Sequence, residues 1–336
     1  MSMACTDADA AMKGGDEEMK TMKEMMAVTA RSDYRRNFWD AMRSMPHASE
    51  YVLNALDGDK AMYLPSDNDE MFQSLKAKHG VFRNLASCMR MYDSTSEIWA
   101  YDSEDYSQFV DDCDPIPGFD SIDEFTKIPV NAHKMASLVR MSLEFVRDSS
   151  FDVEKHLTRR MARSFARTED RAFVNGTGVG EPTGLLHDTE GAETASIVDS
   201  IKYDDCLDLF FSVKPEYRAN AVWMMNDRTA LALRKLKDDD GNYLWNHEKD
   251  SILGKSVVIC NEMPDADGGC KPVLFGDLSY YWVIDRKPAS IKPLWELFAN
   301  KGQIGYIVQE RLDAKLIRPE AVKVLAITQE QDSGQE

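Results

Sequence analysis

One helical pattern decides the fold. It is DVEKHLTRRMARSFARTEDRAFVN, residues 152–175, and it contains no proline or glycine. Apolar residues recur along it every four positions: Val153, Leu157, Met161 and Phe165. This spacing predicts one apolar face of an α-helix. At ~1.5 Å per residue the helix is about 35 Å long, which is enough to span a small domain.

The residues that flank this pattern predict where the helix begins and ends. Ser149, Ser150 and Asp152 can accept hydrogen bonds from the free N–H groups of its first turn. Asn175 and Gly176 follow its last turn, where we expect a residue in the left-handed conformation.

A basic stripe runs along the same helix. It consists of Arg160, Arg163, Arg167 and Arg171, called the arginine stripe below. Two interpretations stay open. The stripe is a solvated face whose arginines pair within their own helix, for example with Glu169 or Asp170, or it is a surface that binds another molecule.

Residues 91–126, called the acidic loop below, are the most acidic part of the chain. They contain eleven Asp and Glu residues and no Lys or Arg. Strand-forming residues lie towards both ends, and the turn sequence DPIPG lies between them at 114–118. We predict a long two-stranded ribbon, which must lie on another surface because it has too few apolar residues for its own core. The alternative is a disordered loop.

Several motifs, in this order along the chain, resemble the major capsid proteins of tailed bacteriophages. The turn after the long helix reads AFVNGTGVGEPTGLL, residues 172–186. The later motifs are AVWMMN at 221–226, ILGKSVVICNEMP at 252–264, VLFGDLSYYWVIDRK at 273–287 and GYIVQERLDAKLIRPEAVKVLAI at 305–327. The resemblance covers roughly residues 31–328, and the ordered set is more specific than any single motif.

The resemblance implies an α+β fold of the HK97-like phage capsid type, in which the long helix is the spine. The implied parts are an N-terminal tail or vestigial scaffolding segment (1–30), an N-terminal arm (31–62), a peripheral domain (63–90, 127–200 and 301–330), an extended loop (91–126) and an axial domain (201–300). Such a fold exposes surfaces for contacts between copies.

Two sets of residues are expected to make those contacts. By resemblance, the arm reaches onto neighbouring subunits, so Phe38 and Trp39 are candidates; an ordinary surface helix is the alternative. The acidic loop, again by resemblance, lies across a neighbour's spine helix, where we expect it to dock on the arginine stripe. The candidate carboxylates are Asp102, Glu104, Asp105, Asp111, Asp112 and Asp114.

Composition argues against several other classes of protein. The formal charge of −18 opposes a nucleic-acid-coating protein, which needs a basic surface to displace counterions. No apolar run approaches the ~18 residues of a membrane span, and the first residues lack the features of an export signal. The six cysteines include no CxxC pair, so we expect no disulfide framework.

No catalytic residue, cofactor or metal ligand is expected. The histidines lack metal-ligand spacing, and DDDG at 238–241 matches a calcium loop only in part. Gly176, Gly178 and Gly180 define the alternative from another class, a phosphate-binding or nucleotide-binding enzyme. Their spacing differs from the dinucleotide fingerprint, and a helix precedes them where that motif needs a strand.

Some members of the resembled family join their subunits by an isopeptide bond between a loop lysine and an asparagine, assisted by a glutamate. The acidic loop has no lysine, and Gln309 occupies the place expected for the glutamate. A neutral amide cannot act as a base. We therefore expect a shell that is held together non-covalently.

The function that the resemblance implies is that of a major capsid protein. Hexamers and pentamers would assemble in the bacterial host cytoplasm into the icosahedral shell of a virion, around double-stranded DNA that is not bound sequence-specifically. A separate scaffolding protein, a portal and a maturation protease are the implied partners. The nearest alternative is an encapsulin, a cellular compartment of the same fold that encloses cargo enzymes.

Overall fold

Helices and strands alternate along the chain. The computed structural model describes residues 24–43, 52, 62–91, 97–101, 109, 125–148, 152–236, 245 and 251–328. The named α-helices are α1 (Ser32–Met42), α2 (Ser66–His79), α3 (Leu143–Arg147), α4 (Val153–Asn175), α5 (Tyr203–Ser212), α6 (Pro215–Arg218) and α7 (Asp227–Arg234). The strands are β1 (Ser87–Arg90), β2 (Glu97–Tyr101), β3 (Phe125–Pro129), β4 (His133–Ser142), β5 (Glu193–Val198), β6 (Val222–Met225), β7 (Ser251–Ile252), β8 (Lys255–Ile259), β9 (Val273–Gly276), β10 (Tyr281–Leu294), β11 (Gln303–Leu316) and β12 (Val322–Ile327).

The strands form three sheets in the described part of the chain. A four-stranded sheet has the order β1-β10-β11-β4, and a six-stranded sheet has the order β5-β12-β9-β6-β8-β7. The third sheet is the antiparallel pair β2-β3. Strands β10 and β11 are 14 residues long and antiparallel, and they form the middle of the four-stranded sheet.

Helix α4 is the predicted spine, and it connects two apolar cores. Its Leu157, Met161 and Phe165 are buried with α1, α2 and the four-stranded sheet. One or two turns further on, Phe173 and Val174 are buried in the core of the six-stranded sheet. Because a helix of this length is stiff, burying its two ends in different cores fixes one sheet relative to the other.

The ends of α4 confirm one prediction and correct another. The Asp152 carboxylate accepts a hydrogen bond from Lys155 N–H at 2.9 Å, as expected of an N-cap. The helix ends before Gly176, but this glycine has φ −63° and is extended, not left-handed. A Cβ there would lie 2.1 Å from Pro182 O and 2.4 Å from Ala172 O. Close approach of two backbone segments therefore explains the glycine.

Two stretches expected to be single strands are interrupted. Residues 128–145 divide into the end of β3, all of β4 and the start of α3. Residues 305–327 divide into β11 and β12, which belong to different sheets. The second break falls at a short 3-10 turn, Pro319–Ala321, where proline lacks the N–H that a strand ladder needs.

Sheet membership departs from the domain boundaries expected from the sequence. Strand β10 lies within 201–300 but joins the four-stranded sheet, and β5 and β12 lie outside 201–300 but join the six-stranded sheet. The chain crosses between the two sheets several times because strand partners are distant in sequence. Contiguous ranges therefore do not describe the two halves.

Helix α1 packs against its own chain. Phe38 is fully buried and Trp39 is 7% exposed in the core under the four-stranded sheet. The Trp39 indole N–H donates to Asn68 Oδ1 at 3.2 Å. The expectation that Phe38 and Trp39 contact a neighbouring subunit is corrected, because both side chains are used inside the subunit.

The base of the acidic loop is the predicted antiparallel ribbon. Strand β2 pairs with β3 from Glu97 opposite Pro129 to Tyr101 opposite Phe125. The candidate carboxylates all lie outside the described residues: Asp102, Glu104, Asp105, Asp111, Asp112 and Asp114. The same holds for DDDG at 238–241. Docking of this loop thus stays a prediction.

Candidate assembly surfaces

A buried ion network joins both helix layers to the sheet. Its members, called the buried ion network below, are Lys76, Arg83, Glu169, Asp285 and Glu310, with side chains at most 7% exposed. Lys76 Nζ lies 3.0 Å from Glu169 Oε1 and 2.7 Å from Glu310 Oε2. Arg83 donates to both Glu169 oxygens and to both Asp285 oxygens at 2.7–3.1 Å. It therefore ties α2 and α4 to β10 and β11.

The carboxylates of this network differ in how well they are compensated. Burial raises the pKa of Glu310, because a single ammonium, that of Lys76, does not offset the loss of water. Burial acts on Glu169 too, but Lys76 and Arg83 together hold its pKa below the usual value. Arg83 does the same for the pKa of Asp285. Three carboxylates face two cations, so Glu310 is the member least stabilised as an anion.

Asp170 fixes the turn that follows α2 to the spine helix. Its carboxylate accepts hydrogen bonds from the N–H groups of Val81 and Phe82 at 3.0–3.2 Å. Burial nevertheless raises the pKa of Asp170 to about 6. Since Glu169 and Asp170 both bind partners in the interior, the interpretation that they pair with the arginine stripe is wrong.

The sequence reasoning missed this network, although a signal was present. Residue 169 continues the four-residue repeat of Phe165, so an acid there lies on the apolar face of α4. A charge on such a face predicts a buried partner. The identity of that partner could not be deduced, because Lys76 and Glu310 are far from Glu169 in sequence.

The arginine stripe is exposed along α4. Arg160, Arg163, Arg167 and Arg171 are all exposed, and none forms an ion pair with a described residue. The first three line one groove, which Arg171 does not reach. The sequence reasoning did not name Lys155 and Arg159, which line the same groove. The other groove residues are polar, so this surface suits an anionic partner with little apolar content.

The glycine-rich turn after α4 binds its own side chain. Glu181 Oε1 accepts hydrogen bonds from Thr177 N–H and from Thr177 Oγ1, both at 3.2 Å. Gly184 N–H donates to Gly176 O at 2.9 Å, which closes the turn. A carboxylate at the N–H groups repels an anion, so the geometry opposes the phosphate-binding enzyme considered from the sequence.

Gln309 and Glu310 lie on opposite faces of β11. Glu310 points into the buried ion network, where Gln73 also donates to it at 3.0 Å. Gln309 is half-buried, opposite Ser290 of β10 and Ala136 of β4. The only carboxylate of this dipeptide is thus enclosed on the core side of the sheet.

Two further kinds of site were sought among the described residues. No group of three or more His, Cys, Asp or Glu side chains there is placed to hold a metal ion. No helix in the same residues combines the length and hydrophobicity that crossing a membrane requires. What these residues do offer is exposed charged surface.

Known capsids are similar to this chain in sequence and structure. Residues 61–327 match the phage capsid family. The capsid of a native GTA particle is 26% identical with a TM-score of 0.61, over 74% of this chain and 89% of that one. The corresponding values are 19%, 0.55, 74% and 91% for Microbacterium phage Oxtober96, and 13%, 0.50, 76% and 89% for the holo-SrpI encapsulin complex from Synechococcus elongatus PCC 7942. The last two likenesses concern the fold alone, and no functionally curated protein matches.

Proposed function

The chain belongs to the phage capsid family, and on this premise we propose that its copies assemble into an icosahedral shell around double-stranded DNA. It is a major capsid protein, a structural component of a virion. The observation that carries the proposal is the family match over residues 61–327, which includes the spine helix and both sheets. Many modest contacts, repeated at every subunit, sum to a stable shell.

We propose that this shell is held together without covalent cross-links. The acidic loop contains no lysine to act as a nucleophile. Gln309 offers no carboxylate at the outer side of β11, and Glu310 is held inside by Lys76. Both the amine and the accessible base of an isopeptide reaction are thus missing from the residues considered for it.

The contacts between subunits are proposed to be largely electrostatic. The arginines of the stripe are exposed and unpaired among the described residues, and we propose that they bind carboxylates of a neighbouring subunit. The acidic loop supplies the complementary charge. Its proposed contact residues are Asp102, Glu104, Asp105, Asp111, Asp112 and Asp114. Exposed pairs contribute only ~0.2–1 kcal/mol each, so repetition matters more than any single pair.

The remaining organisation follows the same family pattern. We propose that the half of the subunit around the four-stranded sheet is peripheral, and that the half around the six-stranded sheet is axial and gathers at the centres of hexamers and pentamers. A scaffolding protein, a portal and a maturation protease are the proposed partners during assembly in the host cytoplasm. The DNA is enclosed without sequence-specific contacts.

Electron microscopy of the purified chain tests the proposed function. We expect closed particles with icosahedral symmetry, and particles from infected cells should contain DNA protected from nuclease. Particles that contain a protein cargo and no DNA would instead identify an encapsulin-like compartment. A chain that stays monomeric at every concentration and ionic strength would refute the proposal.

A further inference from the structure

The four-stranded sheet carries a group of cations on the side away from the spine helix. The group, called the cationic sheet face below, consists of Lys134, Arg140, Lys287, Lys292 and Arg311, all exposed. Three of them line one shallow pocket: Lys134, Lys287 and Arg311. The opposite face of the same strands packs on the core through side chains such as Tyr306, Val308 and Glu310. The cations thus lie on a free face of the sheet.

The register of the strands brings three of these cations into one row. Lys287 of β10 is opposite Arg311 of β11, which is opposite Lys134 of β4. Neighbouring strands are ~4.8 Å apart, so the row spans about 10 Å. Like charges directly opposite each other destabilise a sheet. The fold gains nothing from this row, so the row indicates a partner of opposite charge.

That partner is absent from the described part of the subunit. None of the five cations forms an ion pair with any described carboxylate, although the chain has a net charge of −18. Arg311 donates to Ala132 O, and Arg140 lies over the Phe298 ring at 5.6 Å. Neither contact neutralises a charge, so the surface stays cationic.

Apolar side chains lie among these cations. Leu138 is 48% exposed and directly opposite the half-buried Ile307, with Phe298 nearby under Arg140. A partner for this surface needs carboxylates interleaved with apolar groups. A bare phosphodiester backbone supplies only the charge, whereas an acidic segment with aromatic residues supplies both.

The acidic loop has that composition. Between its acids it carries Tyr106, Phe109, Val110 and Phe119. Phe109 is fully exposed in the isolated subunit, so it does not cover the sheet face of its own chain. The groove along the arginine stripe is lined by polar residues and lacks a surface for Phe109. The cationic sheet face therefore suits the loop better than the stripe does.

We propose that the acidic loop of a second copy of this chain docks on the cationic sheet face. This inference rests on the proposed shell function and names the surface that receives the loop. Carboxylates around 111–114 face the row formed by Lys287, Arg311 and Lys134, and Phe109 covers Leu138. Strand β4 is the edge of its sheet and has one free backbone edge, which extended residues of the loop can approach.

A disulfide experiment tests the docking directly, because the loop has its own cysteine, Cys113. Ala136→Cys places a thiol on the cationic sheet face, where Ala136 is exposed between Lys134 and Leu138. Ser164→Cys places a thiol among the residues of the stripe, and it is the matched control. A disulfide needs the two Cα atoms within ~7 Å. Particles of each variant are oxidised and examined on a non-reducing gel.

We expect a dimer band for Ala136→Cys that disappears when Cys113→Ser is added, and none for Ser164→Cys. A dimer band for Ser164→Cys that equals or exceeds the band for Ala136→Cys would overturn the inference. So would particles in which neither variant cross-links, or a disulfide that forms within one chain. Particle formation by the unsubstituted chain is scored separately by electron microscopy, so failure of the docking is distinguishable from failure of the shell function.

Charge reversal provides a second test that does not depend on cysteine geometry. Lys287→Glu with Arg311→Glu should slow assembly at low salt by about tenfold, because electrostatic steering accelerates association by 10–10³. Asp111→Lys with Asp112→Lys in the same chain should restore part of the rate. The matched reversal, Arg163→Glu with Arg167→Glu, should not be restored by that loop change. Rescue of the stripe variant without rescue of the sheet variant would overturn the inference.

Discussion

Lys76 Nζ lies 2.7 Å from Glu310 Oε2, and neither side chain is exposed to solvent. The two residues are 234 positions apart in the chain. Their contact closes the buried ion network that ties α2 and the spine helix to β11. Because a capsid subunit must hold its shape under load from many neighbours, we infer that this network maintains the angle between helices and sheet.

The first prediction concerns this contact. Lys76→Met leaves Glu310 buried without a cation, which should lower the unfolding free energy of the unassembled subunit by ~3–5 kcal/mol. Urea unfolding measures the change. Adding Glu310→Gln should recover part of the loss, because the uncompensated charge is then removed. The exposed control Lys301→Met should change stability by no more than ~0.5 kcal/mol, and an equal loss in both lysine variants would contradict the prediction.

The second prediction concerns Asp170 and pH. Burial raises its pKa from 3.8 to about 6, so between these values the folded chain binds this proton more tightly than the unfolded chain. Its contribution to stability is therefore full below about pH 4 and is lost as pH rises through about 6. Unfolding free energies of wild type and Asp170→Asn should diverge in favour of wild type as pH falls from 7 to 4.

A control of opposite sign is available for this measurement. Lys271 lowers the pKa of the exposed Asp188 through a hydrogen bond and its charge. The corresponding comparison with Asp188→Asn should shift against wild type on acidification. If the Asp170 comparison moves in the same direction as the Asp188 comparison, the hydrogen bonds from Val81 and Phe82 outweigh burial and the assignment is wrong.

The third prediction concerns the core of the six-stranded sheet. Trp223 lies on β6 between β9 and β8, is fully buried, and packs 4.3 Å from the Phe275 ring. Trp223→Ala should leave a cavity and cost ~3–5 kcal/mol, seen as insoluble or unassembled subunits. Leu231→Ala, at a half-exposed position of α7, should assemble at normal yield. Normal particles from Trp223→Ala would show that this residue does not support the core.

The fourth prediction concerns the turn after the spine helix. Gly176→Ala forces a Cβ into two backbone carbonyls and should destabilise the subunit by about 3 kcal/mol, the upper end of overpacking costs. Gly180 has φ +74° and open space around it, so Gly180→Ala should cost only ~1 kcal/mol for its left-handed backbone. Thermal unfolding compares the two variants. A larger loss at Gly180 would contradict the proposed close approach.

The fifth prediction concerns cross-linking. Particles boiled in detergent with a reducing agent should run as one band near 38.1 kDa. Gln309→Glu should not change this pattern, because the acidic loop still has no lysine to react. A ladder of covalent oligomers from the unsubstituted chain would show that another amine and base carry out the reaction.

Local patterns in the sequence predicted the individual elements well. The four-residue apolar repeat placed the spine helix at 152–175, and the structure has it at Val153–Asn175. The apolar run at 221–226 became β6, with Asn226 as the N-cap of α7. These predictions succeeded because helical period, strand propensity and caps are properties of neighbouring residues. The order of the motifs was sufficient to indicate the family.

Only the tertiary structure decided which distant residues meet. It placed Phe38 and Trp39 inside the subunit, gave Glu169 its buried partners, and aligned Lys287, Arg311 and Lys134 in one row. Strand register and helix packing join residues that no periodic pattern relates, because each pairing depends on the whole fold closing around it. The sequence by itself determined the spine helix and the excess negative charge, whereas the folded subunit determined which surfaces remain free to receive that charge.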